Sequence, residues 1–306
     1  MVYTVTLNPT LDYYMNVEKL RYDDINRSYE ESICYGGKGI NVSVILSRLG
    51  VENKALGFKA GFTGEKLCEM LESDGIKCDF NALEKGNTRI NVKIKAEIEL
   101  DVNAEGPAIS RQDIDELMKK LDMLQSGDYL VLAGSVPKTL PRDIYQTMLQ
   151  RLDGKGINFV VDTTGDLLLN VLKYKPFLVK PNHHELGDLF GKDISTDEEV
   201  EYYSRKLQQL GARNVLVSRS KKGAFLLDEN GEDYYIGNAD GKLVNSVGCG
   251  DSMVAGFVAG YIQKQNYSHA LILGSACGNA TAFSEELATK SEIEEVFEIM
   301  KKLIRR

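Results

Sequence analysis

In the second half of the chain, short apolar runs alternate with longer amphipathic stretches. Asp128–Ala133, Asn158–Asp162, Phe177–Lys180 and Asn214–Ser218 are nearly continuous in apolar residues, the pattern of strands buried on both faces. Helical segments lie between them. Ser110 with Asp113, and Thr196 with Glu199, have the spacing of capping boxes, and Pro141 suits a first helical turn. Gly50, Gly75, Gly154 and Gly211 fall where helices should stop. Repeated strand-then-helix units predict a doubly wound α/β fold with a mostly parallel sheet flanked by helices. Ligands of such folds bind beyond the carboxyl ends of the strands. No internal repeat or low-complexity linker divides residues 1–306, so a single domain is expected.

Residues 88–103 follow a different period. Ile90, Val92, Ile94, Ala96, Ile98, Leu100 and Val102 alternate with Arg89, Asn91, Lys93, Lys95, Glu97, Glu99 and Asp101. A period of two predicts a sheet with one apolar and one polar face, either as one long strand or as a hairpin turning near Ala96-Glu97. Tyr13–Val17 and Tyr29–Tyr35 are candidate companion strands. A small separate sheet must cover its apolar face, on the active site as a lid or on a second subunit. An edge of the core sheet would give the same periodicity.

Charge narrows the partners. Lys and Arg number 37 against 45 Asp and Glu, a net charge of −8. A nucleic-acid or anionic-membrane binder needs a basic face, so both are excluded as expectations. An anionic substrate must then be caught by a local cluster of positive groups. The longest apolar stretch, Met253–Ile262, is far short of the ~20 residues a membrane span needs. The first residues lack a basic region followed by an apolar one, so no signal peptide is expected. Cys34, Cys68, Cys78, Cys249 and Cys277 are odd in number and form no C-x-x-C pair, which predicts reduced thiols in a cytoplasmic protein. His183, His184 and His269 lack partners at metal-ligand spacing.

Three segments carry candidate chemistry. Gly36-Gly37-Lys38-Gly39-Ile40-Asn41 runs into an amphipathic stretch. Glycines at a helix entrance let backbone amides approach an anion or hydroxyl closely, although a glycine-rich turn with a solvated lysine has the same sequence. Gly248-Cys249-Gly250-Asp251 opens an apolar helical run. Its successive amides form an anion cradle suited to a transferring phosphoryl group. Asp251 would repel phosphate, yet it suits a group that takes a proton from an attacking hydroxyl; the bland alternative is an N-cap. Lys180-Pro181-Asn182-His183-His184-Glu185 places Asn and Glu three apart at a helix start. That pair suits a hydrated Mg²⁺ or a capping box. Neither the G-x-x-x-x-G-K-[ST] phosphate loop nor a complete dinucleotide fingerprint is present.

Together with Leu7-Asn-Pro-Thr-Leu-Asp12, Thr88-Arg-Ile-Asn-Val-Lys93 and Gly134-Ser-Val-Pro137, these segments occur in the order found in ribokinase-like (PfkB) carbohydrate kinases, and the chain resembles that family over its full length. The resemblance implies a ribokinase-like domain with a small β-sheet lid from about residues 10–35 and 88–104, often paired with a second subunit. It further implies ATP-dependent phosphorylation of a sugar phosphate, with ATP and Mg²⁺. The wording is most similar to the family's kinases of D-fructose 1-phosphate, which act at the 6-hydroxyl; tagatose 6-phosphate, phosphorylated at its 1-hydroxyl, is the alternative acceptor. A non-catalytic sugar-phosphate sensor and a nucleoside kinase remain as readings of other kinds. By position, Asp12 would accept bonds from sugar hydroxyls, with Gly37, Lys38 and Asn41 lining the pocket. Arg89 would clamp the substrate phosphate, helped by Lys38, Arg27 and Ser135. Lys180, Asn182 and Glu185 would address the ATP phosphates and Mg²⁺, the metal through water. Ser218, Ser220 and Gly223 would approach the nucleotide, and Asn279 would lie near adenine. Gly248, Cys249 and Gly250 would form the anion hole and Asp251 the catalytic base. Two departures from the family pattern stand out: Cys249 replaces the usual Ala, and Asn245 stands where many members carry an Asp linked to monovalent-cation activation. A thiol at a helix N-terminus is expected to have a lowered pKa and to react readily with alkylating agents.

Overall fold

The computed structural model describes residues 1–305. The chain begins with β1 (Val2–Thr6), β2 (Thr10–Asn16), β3 (Glu30–Gly36), α1 (Lys38–Arg48), β4 (Asn53–Ala60), α2 (Gly61–Ser73) and β5 (Cys78–Leu83). It continues through β6 (Arg89–Lys95), β7 (Glu99–Val102), α3 (Arg111–Asp122), β8 (Tyr129–Ala133), α4 (Ile144–Leu152), β9 (Asn158–Asp162) and α5 (Gly165–Leu169). There follow β10 (Leu178–Val179), α6 (His183–Phe190), α7 (Asp197–Leu210), β11 (Asn214–Ser218), β12 (Ala224–Leu227) and β13 (Asp233–Ile236). Helices α8 (Cys249–Lys264), α9 (Tyr267–Phe283) and α10 (Lys290–Met300) precede the short β14 (Ile304–Arg305).

Among the described residues, ten strands form the main sheet in the order β14-β13-β12-β11-β10-β9-β8-β1-β4-β5. Pairing is parallel from β5 to β11 and antiparallel from β11 to β14. Burial explains the apolar runs. On β8, Leu130 and Leu132 enter a core shared with α3, α4 and α7, while Val131 and Ala133 enter another shared with α1, α8, α9 and α10. Both faces of the sheet are therefore covered, and every residue of β8 is buried.

The expected boundaries hold with two corrections. Capping boxes at Ser110/Asp113 and Thr196/Glu199 start α3 and α7. Pro141 lies outside α4, in a turn where Ile144 N–H donates to the Pro141 carbonyl at 3.1 Å. The run 177–180 yields only a two-residue strand, because Pro176 and Pro181 bound it and proline has no N–H to give the ladder.

Residues 88–103 form a hairpin. β6 and β7 turn across 96–98, and with β2 and β3 they make a second sheet in the order β3-β2-β6-β7. The register places Thr10 beside Arg89, Asp12 beside Asn91 and Tyr14 beside Lys93 on one face. Asn91 on that polar face is buried, whereas Ile33, Ile90, Leu100 and Val102 on the opposite face are 40–56% exposed. The apolar face therefore meets the rest of the chain only at its base, where Leu11 and Tyr35 pack against α1 and α2, and its outer part is exposed.

Candidate active site

Loops at the carboxyl ends of β1, β8, β9, β10 and β11 meet the N-termini of α1 and α8. Gly37 at α1 and Gly248 at α8 stand at the N-cap positions, and neither helix start has a side-chain cap. The first-turn amides at both ends thus keep their donors free of any side-chain acceptor.

Asp251 lies in the first turn of α8 and is 5% exposed. Its Oδ2 accepts a hydrogen bond from Asn41 Nδ2 at 2.8 Å, so α1 orients this carboxylate directly. Burial pushes the Asp251 pKa up to about 7, and the negative charge of Asp162 adds to the rise. The charges of Lys38 and Lys180 and the Asn41 bond oppose it.

Asp162 is the residue that sequence reasoning missed. It closes β9 and is 3% exposed, with Lys38 Nζ 3.1 Å from one carboxylate oxygen and Lys180 Nζ 3.2 Å from the other. Burial raises its proton affinity, but the two ammonium groups outweigh that and hold it below the ordinary carboxylate range. Lys38 is shifted upward, since Asp162 and Asp251 more than reverse the effect of its burial. The available signal was an acid at the carboxyl end of an otherwise apolar strand, the position at which such sheets place their sites. Lys180 Nζ also lies 3.1 Å from where a side chain on Gly250 would begin, so any Cβ at 250 would crowd the ammonium group.

On the small sheet, Asp12 Oδ1 accepts from Asn91 Nδ2 at 2.9 Å and from Thr10 Oγ1 at 3.3 Å. Its Oδ2 approaches Gly36 so closely that a Cβ there would sit 2.6 Å away. The Gly36-Gly37 segment therefore joins Asp12 to Lys38. Ser135 is exposed just after Gly134, whose α-carbon faces the Lys38 side chain. Arg89 differs from expectation. Its Nη groups donate to the carbonyls of Asn8 at 3.0 Å and Ala104 at 3.4 Å, leaving the buried Nε without a partner. Arg27 is exposed on the 17–29 segment, and no hydrogen bond ties it to these groups among the described residues.

Asn182 and Glu185 form a complete capping box on α6: Asn182 Oδ1 accepts from the Glu185 amide and Glu185 Oε2 from the Asn182 amide, both at 2.8 Å. Ser218 ends β11 and bridges to Asn182. Ser220 and Gly223 bound a tight turn whose Ser220 carbonyl accepts from Asn238 Nδ2 at 2.8 Å. Asn279, 8% exposed on α9, accepts from the Ala239 amide at 3.0 Å and donates to the Ser275 carbonyl at 2.9 Å and to Asn238 Oδ1 at 3.4 Å. Its amide is engaged within the protein.

Cys249 departs from the expectation of a lowered thiol pKa. Burial, reinforced by Asp251, pushes its pKa up to about 11, and its Sγ donates to the Asn245 carbonyl at 3.5 Å. A half-buried thiol two residues from a carboxylate gains too little from the helix N-terminus to lower its pKa. The Asn245 amide group donates to the Glu285 carbonyl and accepts from the Val247 amide.

A buried carboxylate on one uncapped helix, a lysine on another and an acid bridging two lysines make a constellation compatible with phosphoryl transfer. A model of the pfkB family carbohydrate kinases matches residues 5–294. The chain belongs to the PfkB family. This PfkB chain is 45% identical to the 1-phosphofructokinase of Bacillus subtilis (strain 168), covering 97% of each protein. It is 36% identical to a D-tagatose-1-phosphate kinase of Bacillus licheniformis, over 96% of this chain and 97% of the relative. A crystal structure of a phosphofructokinase candidate from Staphylococcus aureus superposes with a TM-score of 0.89 at 38% identity, covering 100% of this chain and 98% of that one. Phosphofructokinase-2 of Escherichia coli shares the fold, with a TM-score of 0.92 at 24% identity over 98% of this chain and 99% of that chain. The PfkB protein is thus a sugar-phosphate kinase with ATP as phosphoryl donor, and the reading as a non-catalytic sensor is set aside. None of its described helices is long and apolar enough to cross a membrane.

Proposed function

We propose that the protein transfers the terminal phosphoryl group of ATP to the 6-hydroxyl of D-fructose 1-phosphate, giving fructose 1,6-bisphosphate and ADP. The observation that carries this reading is the Asn41–Asp251 bond, which fixes a buried carboxylate beside the free first-turn amides of α8. Asp251 takes the proton of the attacking hydroxyl as the new O–P bond forms. The amides from Gly248 to Gly250 receive the charge on the transferring group, and Lys38 and Lys180 supply nearby positive charge. Asn41 orients the base. Asp12, with Gly37 and Ser135, addresses the sugar hydroxyls. The unpartnered Arg89 Nε, with Arg27, addresses the substrate phosphate, and the lid brings both to the cleft. Ser218, Ser220 and Gly223 line the nucleotide side, with Asn279 behind them.

The residues fit Mg²⁺ as a hydrated ion carried by the nucleotide. Glu185 commits one oxygen to its cap and keeps the other, Asp162 is neutralised by two lysines, and no group of three metal-ligating His, Cys, Asp or Glu occurs among the described residues. Water-mediated contact from Glu185 and Asn182 suits an ion that usually keeps several waters. When bound, Mg²⁺ neutralises charge on the ATP phosphates.

The preference for a ketohexose carrying its phosphate at C1 is supported by the relatives named 1-phosphofructokinase and D-tagatose-1-phosphate kinase. The latter name makes tagatose 1-phosphate the second reading, and it ranks above tagatose 6-phosphate. Coupled ADP release compared over fructose 1-phosphate, tagatose 1-phosphate, fructose 6-phosphate, tagatose 6-phosphate and adenosine tests this. The highest kcat/KM is expected for fructose 1-phosphate; a higher value for any other acceptor rejects the proposal. We also infer a homodimer that buries the apolar outer face of the small sheet.

A further inference from the structure

Residues 284–288, between α9 and α10, belong to no helix or strand, yet they reach the start of α8. Leu287 is partly buried and packs against two apolar clusters, one under α8 and α9 and one between α1 and α2. Its Cδ2 lies 2.6 Å from where a side chain on Gly248 would begin, and Asn41 Nδ2 lies 3.6 Å from the same point. Gly248 is thus held between Leu287 and the side chain that orients Asp251. The loop before α8 rests on the same stretch of chain. The Val244 amide donates to the Ala282 carbonyl at 2.8 Å, and Asn245 Nδ2 donates to the Glu285 carbonyl at 3.0 Å.

Arg48 ties this stretch down. It is the last residue of α1, about 15 Å along that helix from Lys38. Its Nη1 donates to the carbonyl of Leu287 and, at 2.9 Å, to that of Ala288. A segment outside helices and strands has no ladder to supply its carbonyls with donors, so these two depend on the guanidinium. Arg48 has no part in the transfer step described above.

We propose that Arg48 is a positioning residue for phosphoryl transfer. By holding the carbonyls of 287 and 288 it seats Leu287 against Gly248 and keeps the first-turn amides of α8 aimed at the transferring group. The inference rests on the reading of Gly248, Cys249 and Gly250 as the anion hole. Helix α1 then grips Gly248 from both sides, through Asn41 in its first turn and through Arg48 and Leu287 at its end. A guanidinium suits the task because its N–H groups lie in a fixed plane, whereas an ammonium is a rotating point charge. Amides that stabilise developing charge act by being aimed beforehand. A shift on the order of 1 Å caused by a distant change can therefore cost about 10²-fold in rate. The groups proposed to bind sugar and nucleotide lie on other elements or at the opposite end of α1, so the loss falls on rate and not on affinity.

The test compares Arg48→Met, Arg48→Lys, Leu287→Ala and the Arg48→Met/Leu287→Ala double variant with the wild type, as full-length enzymes. Single turnovers are followed by rapid quench with ATP and the acceptor that gives the wild type its highest kcat/KM. The rate constant, unlike the amplitude, does not depend on how much of a sample is folded. In Arg48→Met it should fall roughly 10–100-fold, with the KM for both substrates within about twofold of the wild type. Arg48→Lys should lie between the two. Leu287→Ala should show the same split, and the double variant should be no slower than the slower single variant, because both changes act through one contact. If Arg48→Met does not fold, Arg48→Lys and Leu287→Ala carry the comparison. Unchanged rate constants, losses matched by equal rises in KM, or additive losses in the double variant overturn the proposal. Asp251→Asn separates the two readings: if it keeps near-normal turnover the site itself is misread, whereas if it is slow while the Arg48 and Leu287 variants are not, only the role of Arg48 falls.

Discussion

As the proposed base, Asp251 would contribute rate at the expense of stability. A carboxylate that ionises at about 7 when folded and near the ordinary aspartate value of 3.8 when unfolded binds its proton more tightly in the native state. Folding therefore loses stability as pH rises through that window, and the full penalty remains at pH 8. Asp251→Asn removes both the base and the penalty. Its turnover should fall about 10²–10⁴-fold with the sugar-phosphate KM little changed, while its melting temperature at pH 8 should exceed that of the wild type. Near-normal turnover would remove Asp251 from the role. In the wild type, kcat/KM should fall below pH 7 as Asp251 takes up its proton, and this acid limb should vanish from the residual activity of the Asn variant. The Cys249 thiol, pushed up to about 11, should react with iodoacetamide at pH 8 far more slowly than free cysteine. Cys249→Ala should keep turnover, because the proposed anion hole uses the backbone amide. Mass spectrometry of the 249 peptide over time checks the first statement and steady-state kinetics the second.

At the element scale, the strands and caps could be read because burial leaves a local imprint. The β8 and β9 runs, the alternating hairpin and the Ser110, Thr196 and Asn182 boxes all satisfy short-range rules. Asn182→Ala should cost about 1 kcal/mol through the lost α6 cap, seen as a lower melting temperature, with any ATP-site effect appearing separately in the ATP KM. What the sequence hid were contacts between distant segments. Nothing near Asp162 announces that Lys38 and Lys180 converge on it, and nothing near Arg89 shows its guanidinium turned onto the Asn8 and Ala104 carbonyls. The helix-start argument for Cys249 failed for the same reason: burial, a property of the whole fold, outweighed the local dipole.

At the scale of the molecule, the small sheet turns its polar face inward and leaves Ile33, Ile90, Leu100 and Val102 exposed. A monomer with such a face invites self-association. Ile90→Lys should convert the inferred dimer to a monomer by light scattering with the helical circular dichroism unchanged; a wild-type monomer at micromolar concentration would contradict the inference. The two ends of the chain also share one site, since Asn41 and Asp251 stand 210 positions apart. During synthesis the first half of this machinery must wait for its partner. At ~5–20 residues per second the interval is roughly 10–40 s, in which the glycine-rich turn and Lys38 have emerged but no proton acceptor exists. Premature termination anywhere in that interval would release a chain with half a kinase site and no means of turnover.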